Sequence, residues 1–483
     1  MAKIKINWPP MSMKAEGEDA AVLAQAEQFL KYVKEAHKIS FDVLPTIFQD
    51  GCRDPEELDD EDVEPLTEPE EVAPGAQWDV VAIYDNAGIP SIMHRFRRMN
   101  DKDLFHGGKD KPHPAFIIGG EVYDEIYISV FPKNKILMDD KGMPSVFVWI
   151  PAFRLCDVLS TTSTDIHPAF RVNGKEIAGF YFGKYQTKVY NERAYSLPAE
   201  DPTVSQNFDW FASKTKANGT GWHEATVAEW AAVALWCHKR GCEPRGNNNY
   251  GKDANESTYD AIPAPGVQDS GKTARVLTGT GPLPWSHNGQ MDGIWDMNGN
   301  VWEWLLGLRL YKGELQIIAD NNAADNSVST AASSAAWKAI RASDGALITP
   351  DGNGTTSGSI KLNVVSGKAV WDTTITDQKD EGRGCSFKDI TAGSAVGDAA
   401  KLVLMALALM PDAALTGTGI DTTYGGDYFW FNNGAEERLP SRGGNWRDGG
   451  NAGLFGLNLS ISRAGSSWNF GGRSAFVELP AES

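Results

Sequence analysis

The chain has 483 residues and a mass of 52.6 kDa, enough to bury more than one core and to divide into two or three domains. Its 41% hydrophobic content, 16 Trp and 49 Gly describe a globular, loop-rich and aromatic protein, not a fibrous or disordered one. A net charge of −19 argues against a nucleic-acid partner, because no basic stripe is present to neutralise phosphates. Five scattered cysteines without CxxC spacing point to buried thiols in place of a disulfide framework or a zinc knuckle. The opening MAKIKINWPP has no apolar leader stretch, so cytoplasmic synthesis without a signal peptide is expected. The longest apolar run, 402–410, is too short to insert in a membrane.

Along the chain, residues 17–38 place Val22, Ala26, Phe29, Leu30 and Val33 on one face, predicting an amphipathic N-terminal helix. Residues 54–71 are rich in Asp, Glu and Pro with no Lys or Arg, the composition of a solvated linker. Residues 1–77 therefore read as an attachment region. Short β-like runs at 80–84 and 121–130 predict a small β-rich module over 78–144. At VFVWIP (146–151) the character changes, and HPAF (167–170) and GFYFGKY (179–185) follow. Thr226 and Glu229 form a capping box that starts an amphipathic helix through Trp230, Val233, Ala234, Trp236 and Cys237, ended by Gly241. The Gly/Asn-dense RGNNNYG at 245–251 predicts a loop whose asparagines satisfy backbone groups. Residues 320–425, rich in Ala, Ser, Thr, Gly and Asp, read as an insertion with a helix over 398–410.

Two further segments carry most of the information: GIWDMNGNVWEW at 293–304, and the tail from RGGNW (442–446) to GGRSAF (471–476). With the VWIP and F-x-x-G-K-Y segments upstream, they resemble the formylglycine-generating-enzyme type of C-type-lectin-like fold over 145–483, about 70% of the chain. The tail also resembles the mutable cassette of variable proteins diversified by retroelements, chiefly phage and bacterial adhesins. The resemblance implies an α+β class: a C-type-lectin-like ligand-binding domain with its insertion at about 320–425 and a variable region at about 442–476, preceded by the β-rich module and the helix.

In that family, adenines of asparagine codons are randomised. The matching positions here, which the resemblance implies as diversified and ligand-binding, are Arg447, Asp448, Gly450, Gly456, Ser460, Ile461, Gly465, Ser467, Phe470 and Gly472. Trp302, Trp304, Arg442, Trp446, Trp468 and Arg473 are the implied scaffold. Trp446 and Trp468 cannot arise from an asparagine codon by changing only its two adenines. Within 293–304, Gly293, Gly299 and Asn298 suit tight backbone conformations, and Asp296 and Asn300 suit hydrogen bonds to turn amides. The same oxygens leave room for a structural Ca²⁺, and no other cofactor is implied.

The function implied is receptor binding by a phage tail-tip or related adhesin that is not an enzyme. Its partners would be a host cell-surface protein or glycan and other virion tail proteins, with a homotrimer allowed. Two alternatives stand beside this reading. One is a formylglycine-generating-type oxidoreductase or sulfoxide synthase, which needs reactive thiols in the tail or an iron-binding histidine bundle. No cysteine follows Cys385, and His37, His94, His106 and His113 lack the His-x-x-x-His-x-Glu spacing. The other is a purely structural virion protein.

Overall fold

The computed structural model describes residues 134–141, 143–257, 260–412, 424 and 426–479, and upstream of these the backbone of strands only. The helix expected at 17–38 and the acidic linker at 54–71 lie outside the described residues. Within 78–144, where a β-rich module is expected, Ala76–Asn86, Ile89–Arg98 and Glu125–Val130 form a three-stranded antiparallel sheet.

From there the chain is mostly sheet with few helices. Asn134–Met138 (β1) and Pro144–Pro151 (β2) form a hairpin, followed by Gly179–Gly183 (β3), the helix Phe208–Lys216 (α1), Trp222–Glu224 (β4), the helix Val227–Arg240 (α2) and Trp302–Trp304 (β5). Leu308–Tyr311 (β6), Glu314–Ile318 (β7), Trp337–Ile340 (β8), Lys361–Val365 (β9), Lys368–Asp372 (β10), Arg383–Ser386 (β11) and the helix Asp398–Ala406 (α3) come next. Tyr428–Phe431 (β12), Leu439–Gly443 (β13), Gly453–Ile461 (β14), Phe470–Gly471 (β15) and Ser474–Phe476 (β16) complete the order.

Among the described residues, three sheets have five or more strands. The first runs β4-β16-β3-β2-β1, so the last strand of the chain is inserted between strands from its middle. The second runs β11-β12-β14-β13-β5-β15, and the third is built from β6 to β10 with short strands at Leu347–Ile348 and Thr391–Ala392. The third sheet begins at Leu308, upstream of the expected insertion boundary at 320. Strand β11, from within the expected insertion, joins the sheet of the tail beside β12, which follows the insertion.

The α2 helix explains how the sheets cohere. Thr226 Oγ1 accepts from Glu229 N at 3.1 Å, Glu229 Oε2 accepts from Thr226 N at 2.9 Å, and Gly241 ends the helix at φ +65°. Every residue from Val227 to His238 is buried, not one stripe of them. A helix covered on all sides must lie inside the fold. Phe180 and Phe182 of β3, Leu315 and Ile317 of β7, and Phe429, Phe431, Leu457 and Leu459 of the second sheet share one core with it. Burial on both faces likewise explains the unbroken apolar run of β2. Val148 and Ile150 enter the shared core, while Phe147 packs on Trp222 with ring centroids 5.2 Å apart.

Candidate functional site

The tail is held by two buried arginines. Arg473 is fully buried and grips the fully buried Glu303 in a bidentate pair, Nε to Oε2 and Nη2 to Oε1, both 2.7 Å. Two further donors go to the carbonyls of Gly183 and Trp295, both at 2.9 Å. One guanidinium thus joins β3, the 293–304 motif and the chain end. Its backbone N–H donates to Glu224 Oε1, 3.0 Å away. Burial pushes the Glu224 carboxyl well above the usual carboxylate range. Arg442 is fully buried and donates to the carbonyls of Ala408 (2.7 Å) and Leu407 (3.2 Å), and burial lowers its pKa to about 9. Trp446 is enclosed, donating its indole N–H to Asp269 Oδ2 at 3.2 Å, and half-buried Trp468 packs edge-on against it at 4.6 Å.

The 293–304 motif is a hydrogen-bonded turn. Its left-handed residues are Asp296, Gly299 and Asn300, at φ +62°, +80° and +61°. Gly293 and Asn298, expected in that role, are not among them. Gly293 is required instead for close approach, since a Cβ there would stand 2.2 Å from Asn288 Oδ1. Asp296 Oδ2 accepts from Gly279 N (2.7 Å), and Asn300 Oδ1 accepts from Val276 N (2.9 Å) and Asn247 Nδ2 (3.1 Å). These residues do not fit a Ca²⁺ site. Only Oδ1 of the Asp296 carboxylate is left without a partner, one oxygen where Ca²⁺ takes about six to eight. No group of three or more His, Cys, Asp or Glu suited to a metal occurs among the described residues.

Register defines the face of the second sheet. Phe429 and Phe431 of β12 enter the core, so the alternating Tyr428 and Trp430 point the other way, half-exposed and 4.6 Å apart. The pairing Trp430↔Asn458 sets Asn458 beside them, and Ser441 and Trp304 continue the row. Trp430 and Trp302 lie three strand spacings apart, about 14 Å. Their rings nevertheless meet edge-on at 5.4 Å, reaching over β13 and β14, where the small residues Ser441 and Asn458 leave room.

The ten implied binding positions divide against this geometry. Arg447 and Gly450 are exposed. Arg447 lies 3.6 Å from Asp269, and a Cβ on Gly450 would meet nothing within 4 Å. Asp448, Ser460, Ile461, Gly465 and Ser467 are half-buried. Asp448 is a loop pin: its Oδ2 accepts from Asn445 N (2.9 Å) and Nδ2 (2.7 Å), Trp302 donates to it as well, and burial pushes it up to about 6. Ser460 donates to Asn458 Oδ1, and Ile461 packs on the aromatic cluster of Trp302, Trp304 and Phe470.

The remaining three, Gly456, Phe470 and Gly472, are buried, which corrects the expectation that they face solvent. Phe470 lies 5.0 Å from the Trp304 ring and 6.4 Å from that of Trp302, as part of their packing. A Cβ on Gly472 would fall 2.0 Å from Glu224 Oε1, and one on Gly456 would fall 3.1 Å from the Gly453 carbonyl. Sequence reasoning also passed over Tyr428 and Trp430, whose YFWF alternation was readable. It missed Arg463 too, which ties the 462–468 loop to Glu437 (2.8 Å) and Asp209 (2.7 Å) through charges distant in sequence.

No protein-family profile matches the chain, and no curated protein matches it. Among solved structures it is similar to the Major Tropism Determinant U1 variant, at 11% identity and a TM-score of 0.25, over 74% of this chain and 77% of that one. The P3c variant gives 10% identity and a TM-score of 0.25 over the same shares, and the M1 variant 10% and 0.26 over 76% and 79%. Similarity this distant assigns neither a fold nor a family.

Proposed function

We propose that the chain is a receptor-binding adhesin of a phage tail or related particle, with a C-type-lectin-like domain whose C-terminal segment recognises a host surface protein or glycan. One observation carries the reading. The tail is clamped at both ends by buried guanidiniums, Arg442 and Arg473, while between them Arg447, Gly450, Ser460, Ile461 and Ser467 are exposed or half-exposed. A surface on so rigid a frame changes its side chains without refolding, which lets affinity vary at little cost in stability. Tyr428 and Trp430 add aromatic bodies with polar tips beside it, the residue types that anchor interfaces.

The binding positions of this proposal are Arg447, Asp448, Gly450, Ser460, Ile461, Gly465 and Ser467, with location in the virion tail, attachment through the N-terminal region to other tail proteins, and no catalysis or cofactor. Buried thiols support the last point. Burial raises Cys237 and Cys385, which holds them as thiols and not as the thiolates an oxidase uses. The test is a swap of residues 447–467 for the segment of a sibling variant, read by pull-down of host surface fractions. The host bound should change while the melting temperature holds. Unchanged binding would remove the C-terminal face from recognition.

A further inference from the structure

A second concave surface lies away from the tail, on the insertion's own sheet. A cleft of about 1190 Å³ opens between the 351–359 turn and the 373–380 loop, with Lys312 and residues 434–436 at its margin. Both walls have the Gly, Thr, Ser and Asp composition of mobile loops, yet each is fixed from beneath by a buried polar side chain. Glu314, fully buried, accepts from Thr356 N (3.0 Å) and Ser359 Oγ (2.7 Å), and Lys361 Nζ donates to the Thr356 carbonyl at 2.8 Å. Asn363, also buried, accepts from Thr376 N (2.8 Å) and Asp377 N (3.2 Å). Asn433 receives Lys379 N (3.1 Å) and donates to the Leu362 and Asp377 carbonyls, both at 2.9 Å. Four buried side chains thus spend their hydrogen bonds on a shape already formed before any ligand arrives, the condition under which binding loses least ordering entropy.

What the cleft presents is polar. Ile375 is the single apolar side chain larger than glycine among its described lining residues, and the rest offer hydroxyls, amides and charges. The Lys312 ammonium makes no ion pair among the described residues and rests 5.4 Å from the Tyr311 ring, and Lys379 pairs only with exposed Glu381 at 3.5 Å. Glu436 opposes them, while Asp380 is already engaged by Arg438 and Asn432. Such a lining offers hydrogen-bonding partners on most of its residues. Its volume exceeds the ~300–1,000 Å³ of a pocket for one small molecule.

We propose that this cleft binds an anionic saccharide of several rings, with Lys312 and Lys379 meeting its acidic groups and the Thr, Asn and Gln side chains its hydroxyls. The site is separate from the C-terminal face and does not depend on that reading. The test uses the full chain and isothermal titration with trigalacturonate, its neutral methyl ester and a phosphorylated trisaccharide. Saturable binding of the uronate or of the phosphorylated sugar, absent for the ester, is expected, and which of the two binds names the source of the anion. Lys312→Ala should weaken it at least about fivefold, equal to ~1 kcal/mol at 25 °C, and Glu436→Gln should tighten it. Both residues are outside the core, so melting curves should match the wild type and separate lost binding from lost folding. Added salt should weaken the interaction, as expected for solvent-facing charges. No saturable binding of either anionic sugar, equal binding of the ester, or binding indifferent to Lys312→Ala would each overturn the proposal.

Discussion

Arg473→Ala offers the sharpest test of how the tail is anchored. The substitution removes a bidentate partner of Glu303 at 2.7 Å, both side chains being fully buried, and leaves the Gly183 and Trp295 carbonyls without their donor. Deleting one member of a buried pair costs about 3–5 kcal/mol because the survivor's charge is stranded. In a domain this large that corresponds to a fall in Tm of roughly 10 °C. The loss should depend on pH with a definite sign. Burial already raises Glu303, and Arg473 is the first influence opposing it, so the variant's Glu303 pKa rises further in the folded state. A carboxyl whose folded pKa exceeds its unfolded one binds a proton more readily when folded. Stability is then gained as pH falls towards the unfolded value, and the deficit against wild type should shrink between about pH 8 and pH 5. Glu303→Leu combined with Arg473→Met removes both charges and should recover much of the loss, with a coupling of at least about 2 kcal/mol in urea melts. Additive single effects, or an Arg473→Ala protein within ~1 kcal/mol of wild type at pH 8, would refute the anchoring argument.

Phe470→Ala should cost about 3–5 kcal/mol in chemical denaturation, as should Trp302→Ala and Trp304→Ala, because all three rings share one buried cluster; a wild-type melt for Phe470→Ala would return that ring to the surface. Gly472→Ala should cost about 1–3 kcal/mol by thermal melting, since its methyl meets the buried Glu224 carboxylate, and tolerance would mean that Glu224 moves. Arg447→Ala and Gly450→Ala should each stay within ~0.5 kcal/mol of wild type, and a larger loss in either would place the 447–450 loop inside the fold.

Local chemistry made part of this structure readable in advance. The Thr226–Glu229 capping box and the Gly241 stop depend on neighbours three and four positions apart, and both occur as the sequence suggests. The aromatic mass at Trp302, Trp304 and Trp446 is buried, as large rings beside tight turns would have it. What escaped was set by distant partners. The burial of α2 on all sides follows from three sheets that meet only after folding, and nothing inside the helix announces the third. Phe470 was implied as a binding position by its place in the cassette pattern; Trp304, far upstream, is what covers it. Gly472 matched a mutable position by pattern alone, while the carboxylate that forbids a side chain there belongs to β4. The cleft walls lie in a stretch that read only as an insertion, since Glu314, Asn363 and Asn433 are remote from the residues they hold.

The place of β16 between β3 and β4 makes the first sheet depend on residues far apart in sequence. Tyr181 and Trp222 both find their strand partner in Phe476, about 295 and 254 residues further along the chain. Before β16 docks, β3 and β4 carry open edges, and the pairings that close them are among the most non-local in the described residues, the kind that form slowly. Without β16 the first sheet is split, and the facing edges of β3 and β4 are left unpaired. The segment proposed to vary is therefore followed by the strand that joins β3 to β4, so that a change of backbone length within 447–467 is felt in the register of the first sheet as well as at the surface.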